Sequence, residues 1–240
     1  MRRSIDILLY QNQSQMQLTQ THKKSVFEGF YEFFNRITIL FGEIRKEVFY
    51  IYGLFFMISL MLVSLYNKQT LHLMLNDLNT PFFDAFFKYS TFLGDGIMFG
   101  VLFLWFAFIN KRVMWAQLVS AILTLVTTHF LKKIIFRGIA RPAGDFGIEN
   151  LHIVEGVKMA FWNSFPSGHT ITAFTIGTIL CLYFRKCKSQ YIWASLAIIA
   201  GLSRVYLSQH YWIDIFVGSF VGIILGFISM ALFYRVRSIH

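Results

Sequence analysis

The chain has 240 residues, 56% of them hydrophobic and only 14% charged, with 28 phenylalanines. That balance and the long, evenly spaced uncharged runs exclude a soluble domain of ordinary composition. The formal net charge of +10 suits anionic partners, either lipid headgroups or a phosphorylated substrate, without choosing between them, and Cys181 and Cys187 indicate no disulfide framework.

In chain order, Met1–Tyr10 has neither the long apolar stretch nor the small-residue cleavage site of a secretory signal, so the N-terminus is expected to be retained. Residues 11–20 are Gln-rich and expected to be disordered. Over 26–44, Val26, Phe27, Phe30, Phe33, Phe34, Ile37, Leu40, Phe41 and Ile44 recur at helical spacing, with Glu28, Glu32, Arg36 and Glu43 mostly opposite. That pattern predicts an interfacial amphipathic helix, the alternative being a helix packed on a partner domain.

Uncharged runs at about 48–66, 113–131, 169–184, 190–203 and 215–234 are each read as a membrane span, and so is a sixth at about 93–110, which holds Asp95 near one end but is apolar from Ile97 to Ile109. The Phe-rich stretch 71–92 is expected to lie along the membrane surface. The fold class is therefore all-α: a polytopic membrane protein of six transmembrane helices. Residues 1–46 form a cytoplasmic N-terminal segment and 47–240 the membrane domain.

Cytoplasmic loops carry the excess of Lys and Arg. Arg45 and Lys46, Lys111 and Arg112, Arg185, Lys186 and Lys188, and Arg235 and Arg237 all fall on one side of the six-span topology, which puts both termini in the cytoplasm. The second outer loop breaks the rule with Lys132, Lys133, Arg137, Arg141 and Lys158. A bound anion is a physical reason for cations there.

Three short outer stretches hold the ionisable groups that are costly for a membrane protein: Lys133 to Pro142, Pro166 to His169, and Ser203 to Asp214. A helix that starts at Pro166 leaves the N–H groups of Ser167, Gly168 and His169 without intrahelical partners, and with the helix dipole they make an anion site. His169 in that first turn can act as a general acid; the plain alternative is an ordinary capped helix start. His210 and Asp214, four residues apart, lie about 40° apart on one face of a helix, so the carboxylate can hold one ring nitrogen and leave the other free to attack. A buried pair that only stitches two helices together is the alternative. Lys133, Arg141 and Arg204 supply charge for a phosphoryl group, against the simpler reading of snorkelling side chains.

These stretches resemble the type 2 phosphatidic acid phosphatase (PAP2) superfamily of membrane lipid phosphatases and vanadium-dependent haloperoxidases. Its signature is a Lys six residues before Arg-Pro, then Pro-Ser-Gly-His, then Ser-Arg, five residues, His, three residues, Asp. Pro166–His169 matches the second part in full, and Ser203, Arg204, His210 and Asp214 match the third. The first part departs: seven residues separate Lys133 from Arg141, and Lys132 and Arg137 are possible substitutes. The resemblance covers residues from about 70 to 234 and implies a PAP2-like bundle.

The roles it implies are His210 as nucleophile, Asp214 as its orienting partner and His169 as proton donor and later base. Lys133, Arg141, Ser167, the Gly168 amide and Arg204 are implied to bind phosphate. It implies no cofactor and no metal. The expected activity is a metal-independent phosphatase acting on a phosphomonoester or pyrophosphate of an envelope lipid, in a bacterial inner membrane with the site facing the periplasm. Lipid A is slightly favoured over undecaprenyl pyrophosphate and phosphatidylglycerophosphate. The expected partners are that lipid and the bilayer, with no nucleic acid and no obligate protein partner. The rival readings are a lipid phosphotransferase using the same histidine, an oxidative enzyme, and a non-catalytic anionic-lipid-binding protein.

Overall fold

The computed structural model describes residues 27–234, and every regular element among them is a helix. A first helix, α1, covers 27–42. It is followed by α2 (Lys46–Leu65), α3 (Lys68–Asn76), α4 (Pro81–Ser90) with a 3-10 turn at Thr91–Gly94, α5 (Ile97–Ile109) and α6 (Lys111–Phe130), which runs on into a π turn at Leu131–Ile135. After the short α7 (Pro142–Phe146) come α8 (Gly168–Tyr183), α9 (Gln190–Tyr206) and α10 (Trp212–Phe233). Expectations for Met1–Tyr10, residues 11–20, Arg235 and Arg237 lie outside the described residues.

Helix α8 is the axis of the bundle, with every side chain from Thr170 to Leu182 buried. Its closest neighbour is α10, where Gly218, Gly222 and Gly226 recur every four residues and so occupy one face. A Cβ on Gly222 would stand 2.5 Å from the Ile171 carbonyl oxygen, and one on Gly226 would stand 2.6 Å from the Thr178 Cβ. Only glycine permits this approach, the device by which apolar helices pack tightly without bulky side chains. On its other flank α8 meets α9, where Gly201 lies against Thr170 and Phe174. A larger apolar cluster, with Phe106, Ala116, Ile179 and Ala231 at its centre, fills the end of the bundle away from the site.

A helix forms at each of the six predicted spans, but lengths differ. α2, α6 with its π turn, and α10 are long and apolar enough to cross a membrane on their own. α5 has 13 residues, about 20 Å, because Asp95 and Gly96 break the chain after the 3-10 turn. Together with α4 it makes a pair bent by 59° that passes the same test as one broken span. α8 is apolar but has 16 residues. The stretch 71–92 is mostly helical: Asn67 caps α3, and Thr80 caps α4 ahead of Pro81 at the first helical position, where its missing N–H costs nothing.

The basic connections that fall within the described residues gather at one end. Arg185 pairs with Glu43 at 3.4 Å, Gln190 accepts the Arg45 N–H at 2.9 Å and donates to the Glu43 carbonyl at 3.1 Å, and Val113 joins the cluster that holds Tyr183 and Tyr234. Leu40 of α1 is fully buried there, and Phe33 and Ile37 pack beside it. Phe27, Phe30, Phe34 and Phe41 on the same helix stay exposed, so its apolar stripe is wider than its contact with the bundle.

Candidate active site

The three predicted stretches converge at the opposite end of the bundle. Helix α9 stops at Tyr206, and the Arg204 carbonyl accepts both the Gln209 N–H at 2.9 Å and the His210 N–H at 3.0 Å. Ser208 takes a left-handed conformation (φ 53°) to close this turn. His210 therefore sits in the connection before α10, whereas its spacing from Asp214 predicts one helix for both. The pair still meets, because Asp214 is the third residue of α10 and folds back over the helix start. Its Oδ2 accepts from His210 Nδ1 at 3.1 Å and from the Tyr211 N–H at 3.0 Å. Both side chains are almost fully buried, and Nε2 of His210 has no hydrogen-bond partner among the described residues.

Burial is the main cause that holds the His210 imidazole well below the ordinary histidine value, followed by the positive charges of Lys132, Arg141 and Arg204 and the proximity of His169. One ring thus senses groups from all three stretches: Lys132 and Arg141 at the first, His169 from the second and Arg204 from the third. An unprotonated imidazole with one nitrogen engaged by a carboxylate has its lone pair on the other nitrogen, the form a nucleophile needs.

Helix α8 begins at Gly168, two residues later than the sequence predicts. Ser167 is the cap: its hydroxyl accepts the Thr170 N–H at 3.4 Å, and its own N–H donates to the Asp214 carbonyl at 3.1 Å. The Ser167 N–H is therefore spent on α10, and the anion-facing amides reduce to those of Gly168 and His169. Gly168 lies against Thr128 of α6, and the main chain of His169 is touched by Gly94, where a Cβ would come within 2.7 Å of the His169 carbonyl oxygen.

Among the cations, Arg141 is held by its Nε donating to the Trp162 carbonyl at 3.1 Å and Nη1 to the Gln209 carbonyl at 3.0 Å. Burial lowers its pKa from the ordinary guanidinium value, and Asp214 opposes that. Arg204 is buried, with Nη1 donating to Thr91 Oγ1 at 2.7 Å and Nε left without a partner. The first-stretch lysine departs from the expectation: Lys133 is exposed, while Lys132 is half-buried and interacts electrostatically with Arg141, Asp214 and Arg204. The reason is helical phase. Gln117, Ser120, Thr124 and Thr128 form the inward face of α6, and Lys132 is the next position on it. Lys133 is turned about 100° away. The longer spacing to Arg141 is absorbed where the Phe136 N–H bonds to the Leu131 carbonyl at 2.8 Å, the five-residue step of a π turn.

Sequence reasoning did not find Ser164, whose hydroxyl donates to Asp214 Oδ2, nor Thr91 on Arg204, nor Gln209 on Arg141. Thr91 and Gln209 carry no signal in spacing, and Ser164 lies two residues before Pro166 in a stretch that reads only as loop. Asp95 contributes a negative charge near both His169 and Arg204. Arg137 is exposed. Among the described residues no group of three or more His, Cys, Asp and Glu side chains is arranged to hold a metal ion.

A family model described as PAP2 superfamily matches residues 113–238. The chain is 28% identical over 179 residues to the lipid A 4'-phosphatase of Porphyromonas gingivalis, covering 71% of this chain and 75% of that protein. It is 39% identical over 62 residues to the bacitracin transport permease protein BcrC of Bacillus licheniformis, a match that spans 26% of this chain and 30% of that protein. In structure it is similar to the crystal structure of Aquifex aeolicus LpxE, with a TM-score of 0.58 and 29% identity, covering 68% of this chain and 93% of that one.

Proposed function

We propose that this chain, which belongs to the PAP2 superfamily, is a metal-independent lipid phosphatase working through a phosphohistidine. The observation that carries the reading is His210: Nδ1 is held by Asp214, Nε2 is free, and Lys132, Arg141 and Arg204 act on the same ring. The Nε2 lone pair attacks phosphorus while the bond from phosphorus to the lipid oxygen breaks. His169 gives its proton to the departing oxygen. The equatorial oxygens are bound by Lys132, Arg141, Arg204, the Ser167 hydroxyl and the Gly168 amide, which offset the charge of the transition state. A water molecule, deprotonated by His169, then attacks phosphorus, the N–P bond breaks and inorganic phosphate leaves. Lys132, one of the two substitutes the sequence offered, takes the role that the resemblance implied for Lys133.

The membrane arrangement is part of the same proposal. Six helices cross or enter the bilayer, with α4 and α5 as a bent pair and α1 lying in the headgroup layer on its exposed phenylalanines. The end with Arg45, Lys111 and Arg185 faces the cytoplasm of a bacterial inner membrane, and the histidines face the periplasm. Lipid A is the preferred substrate, in keeping with the long match to a lipid A 4'-phosphatase. The partners are this lipid and the bilayer.

The test is phosphate release by purified protein from lipid A, undecaprenyl pyrophosphate and phosphatidylglycerophosphate in detergent micelles with EDTA present, alongside His210→Ala. Release that survives EDTA and is lost in the variant is expected. A requirement for added divalent metal refutes the histidine mechanism, phosphate passed to a second lipid makes the chain a phosphotransferase, and lipid binding without release makes it a binding protein. Accessibility labelling of Asn150→Cys and native Cys187 in intact cells is expected to mark only the first; labelling of both from one side removes the six-span arrangement.

A further inference from the structure

Ser164 is completely buried, and its hydroxyl donates to the Asp214 Oδ2 atom while lying 3.4 Å from His210 Nδ1. That oxygen receives three donors, from Ser164, from His210 Nδ1 at 3.1 Å and from the Tyr211 N–H at 3.0 Å. The Tyr211 and His210 bonds both come from the chain just before α10, so neither ties the carboxylate to a distant segment. Ser164 comes from elsewhere in the sequence and supplies the third, independent direction.

The position of Ser164 is fixed by main chain rather than by loose packing. Its N–H donates to the Ile139 carbonyl at 3.0 Å, the Arg141 N–H donates to the Phe161 carbonyl at 2.9 Å, and the Gly138 N–H donates to Asn163 Oδ1 at 3.2 Å. Ala140 and Trp162 form an antiparallel bridge between the same two segments. Residues 161–164 therefore tie the Arg141 loop to the Asp214 carboxylate three residues ahead of Ser167.

We propose that Ser164 is a positioning residue that locks the rotamer of Asp214 and thereby aims His210 Nε2 at phosphorus. The inference rests on the phosphohistidine reading above. A carboxylate orienting a histidine is itself oriented by further hydrogen bonds, and losing one charge-assisted bond costs aim rather than substrate affinity.

The experiment compares wild type, Ser164→Ala, Ser164→Cys and His210→Ala on the three-lipid panel, with kcat and KM taken per mole of monodisperse protein and the melting temperature recorded for each. Ser164→Ala is expected to lower kcat by about ten- to hundredfold, the size of one hydrogen bond to a charged group, with KM within about twofold. Ser164→Cys keeps the volume but is a weak donor, so its kcat falls with that of Ser164→Ala. Rapid-quench trapping should find slowed formation of the phosphoenzyme. Wild-type kcat in Ser164→Ala overturns the proposal, as does full activity in Ser164→Cys, which would reduce Ser164 to a packing residue. Absence of release by wild type, or equal release by His210→Ala, removes the mechanism beneath it instead, and the proposal with it.

Discussion

The carbonyl oxygen of Arg204 accepts the N–H of His210 at 3.0 Å. The residue whose guanidinium is proposed to bind phosphate therefore also closes, with its main-chain carbonyl, the turn that carries the imidazole. The two roles separate under mutation. Arg204→Lys keeps the carbonyl clasp and loses the planar fork that grips two oxygens, along with the Thr91 bond. We expect kcat/KM for phosphate release to fall by about a hundredfold or more while the melting temperature in detergent stays near that of wild type. A large drop in melting temperature would mean that the side chain, not the carbonyl, holds the turn.

Adjacent lysines should behave differently. Lys132→Ala removes a cation that acts on His210, and kcat/KM is expected to fall by roughly a hundredfold. Lys133→Ala truncates an exposed side chain and should change kcat/KM by less than about threefold. Steady-state assays on the two variants decide the assignment, and the reverse order would put Lys133 in the site.

This pair also marks how far the sequence could be read. The all-helical architecture was legible because uncharged runs of the necessary length recur between basic connections, and those connections do meet at one end, as the Arg185–Glu43 pair illustrates. That His169, His210, Asp214, Arg141 and Arg204 come together was legible because the spacings within each stretch are local and each stretch lies at a helix boundary. Lys132 was obscured by counting back from Arg141. Counting forward along α6 from Thr124 and Thr128 would have found it, since the α-helical phase holds up to the π turn that starts at Leu131, and the residue this turn absorbs falls between Lys132 and Arg141. Ser164 and Thr91 act through tertiary contacts across 50 and 113 residues, and nothing in the local sequence reports such distances. The shortness of α5 follows from Asp95 and Gly96, and its extent is the apolar stretch Ile97–Ile109 that the sequence shows beyond Asp95.

The contact between α8 and α10 makes a stability prediction independent of chemistry. Gly222→Ala adds a methyl group 2.5 Å from the Ile171 carbonyl oxygen and 2.7 Å from the Phe174 Cβ, so one helix must shift. Overpacking of this kind costs about 1–3 kcal/mol. Because α8 carries His169 and α10 carries Asp214, the shift should also reduce kcat. Thermal unfolding in detergent is expected to show a lower midpoint for Gly222→Ala, with Gly100→Ala, which has open space around it, as the control that does not move.

His72 gives the pH dependence its sign. The ring is buried against Tyr211 and Phe146, with Nε2 3.2 Å from Ser208 Oγ and Nδ1 without a partner. Burial pushes its pKa down from 6.5 to about 4. In the unfolded chain the same ring takes a proton near its ordinary value, so between roughly pH 6.5 and 4 the unfolded state binds the extra proton and is favoured by it. Stability is thus full above pH 6.5, declines as the pH falls, and stops declining from this cause once the native ring also protonates near pH 4. The whole loss from this ring is on the order of 3 kcal/mol. Melting temperatures measured from pH 7 to pH 4.5 should fall in wild type and fall less steeply in His72→Gln, which keeps a donor for Ser208 without the titration. A wild-type protein whose midpoint rises on acidification would contradict a buried neutral His72.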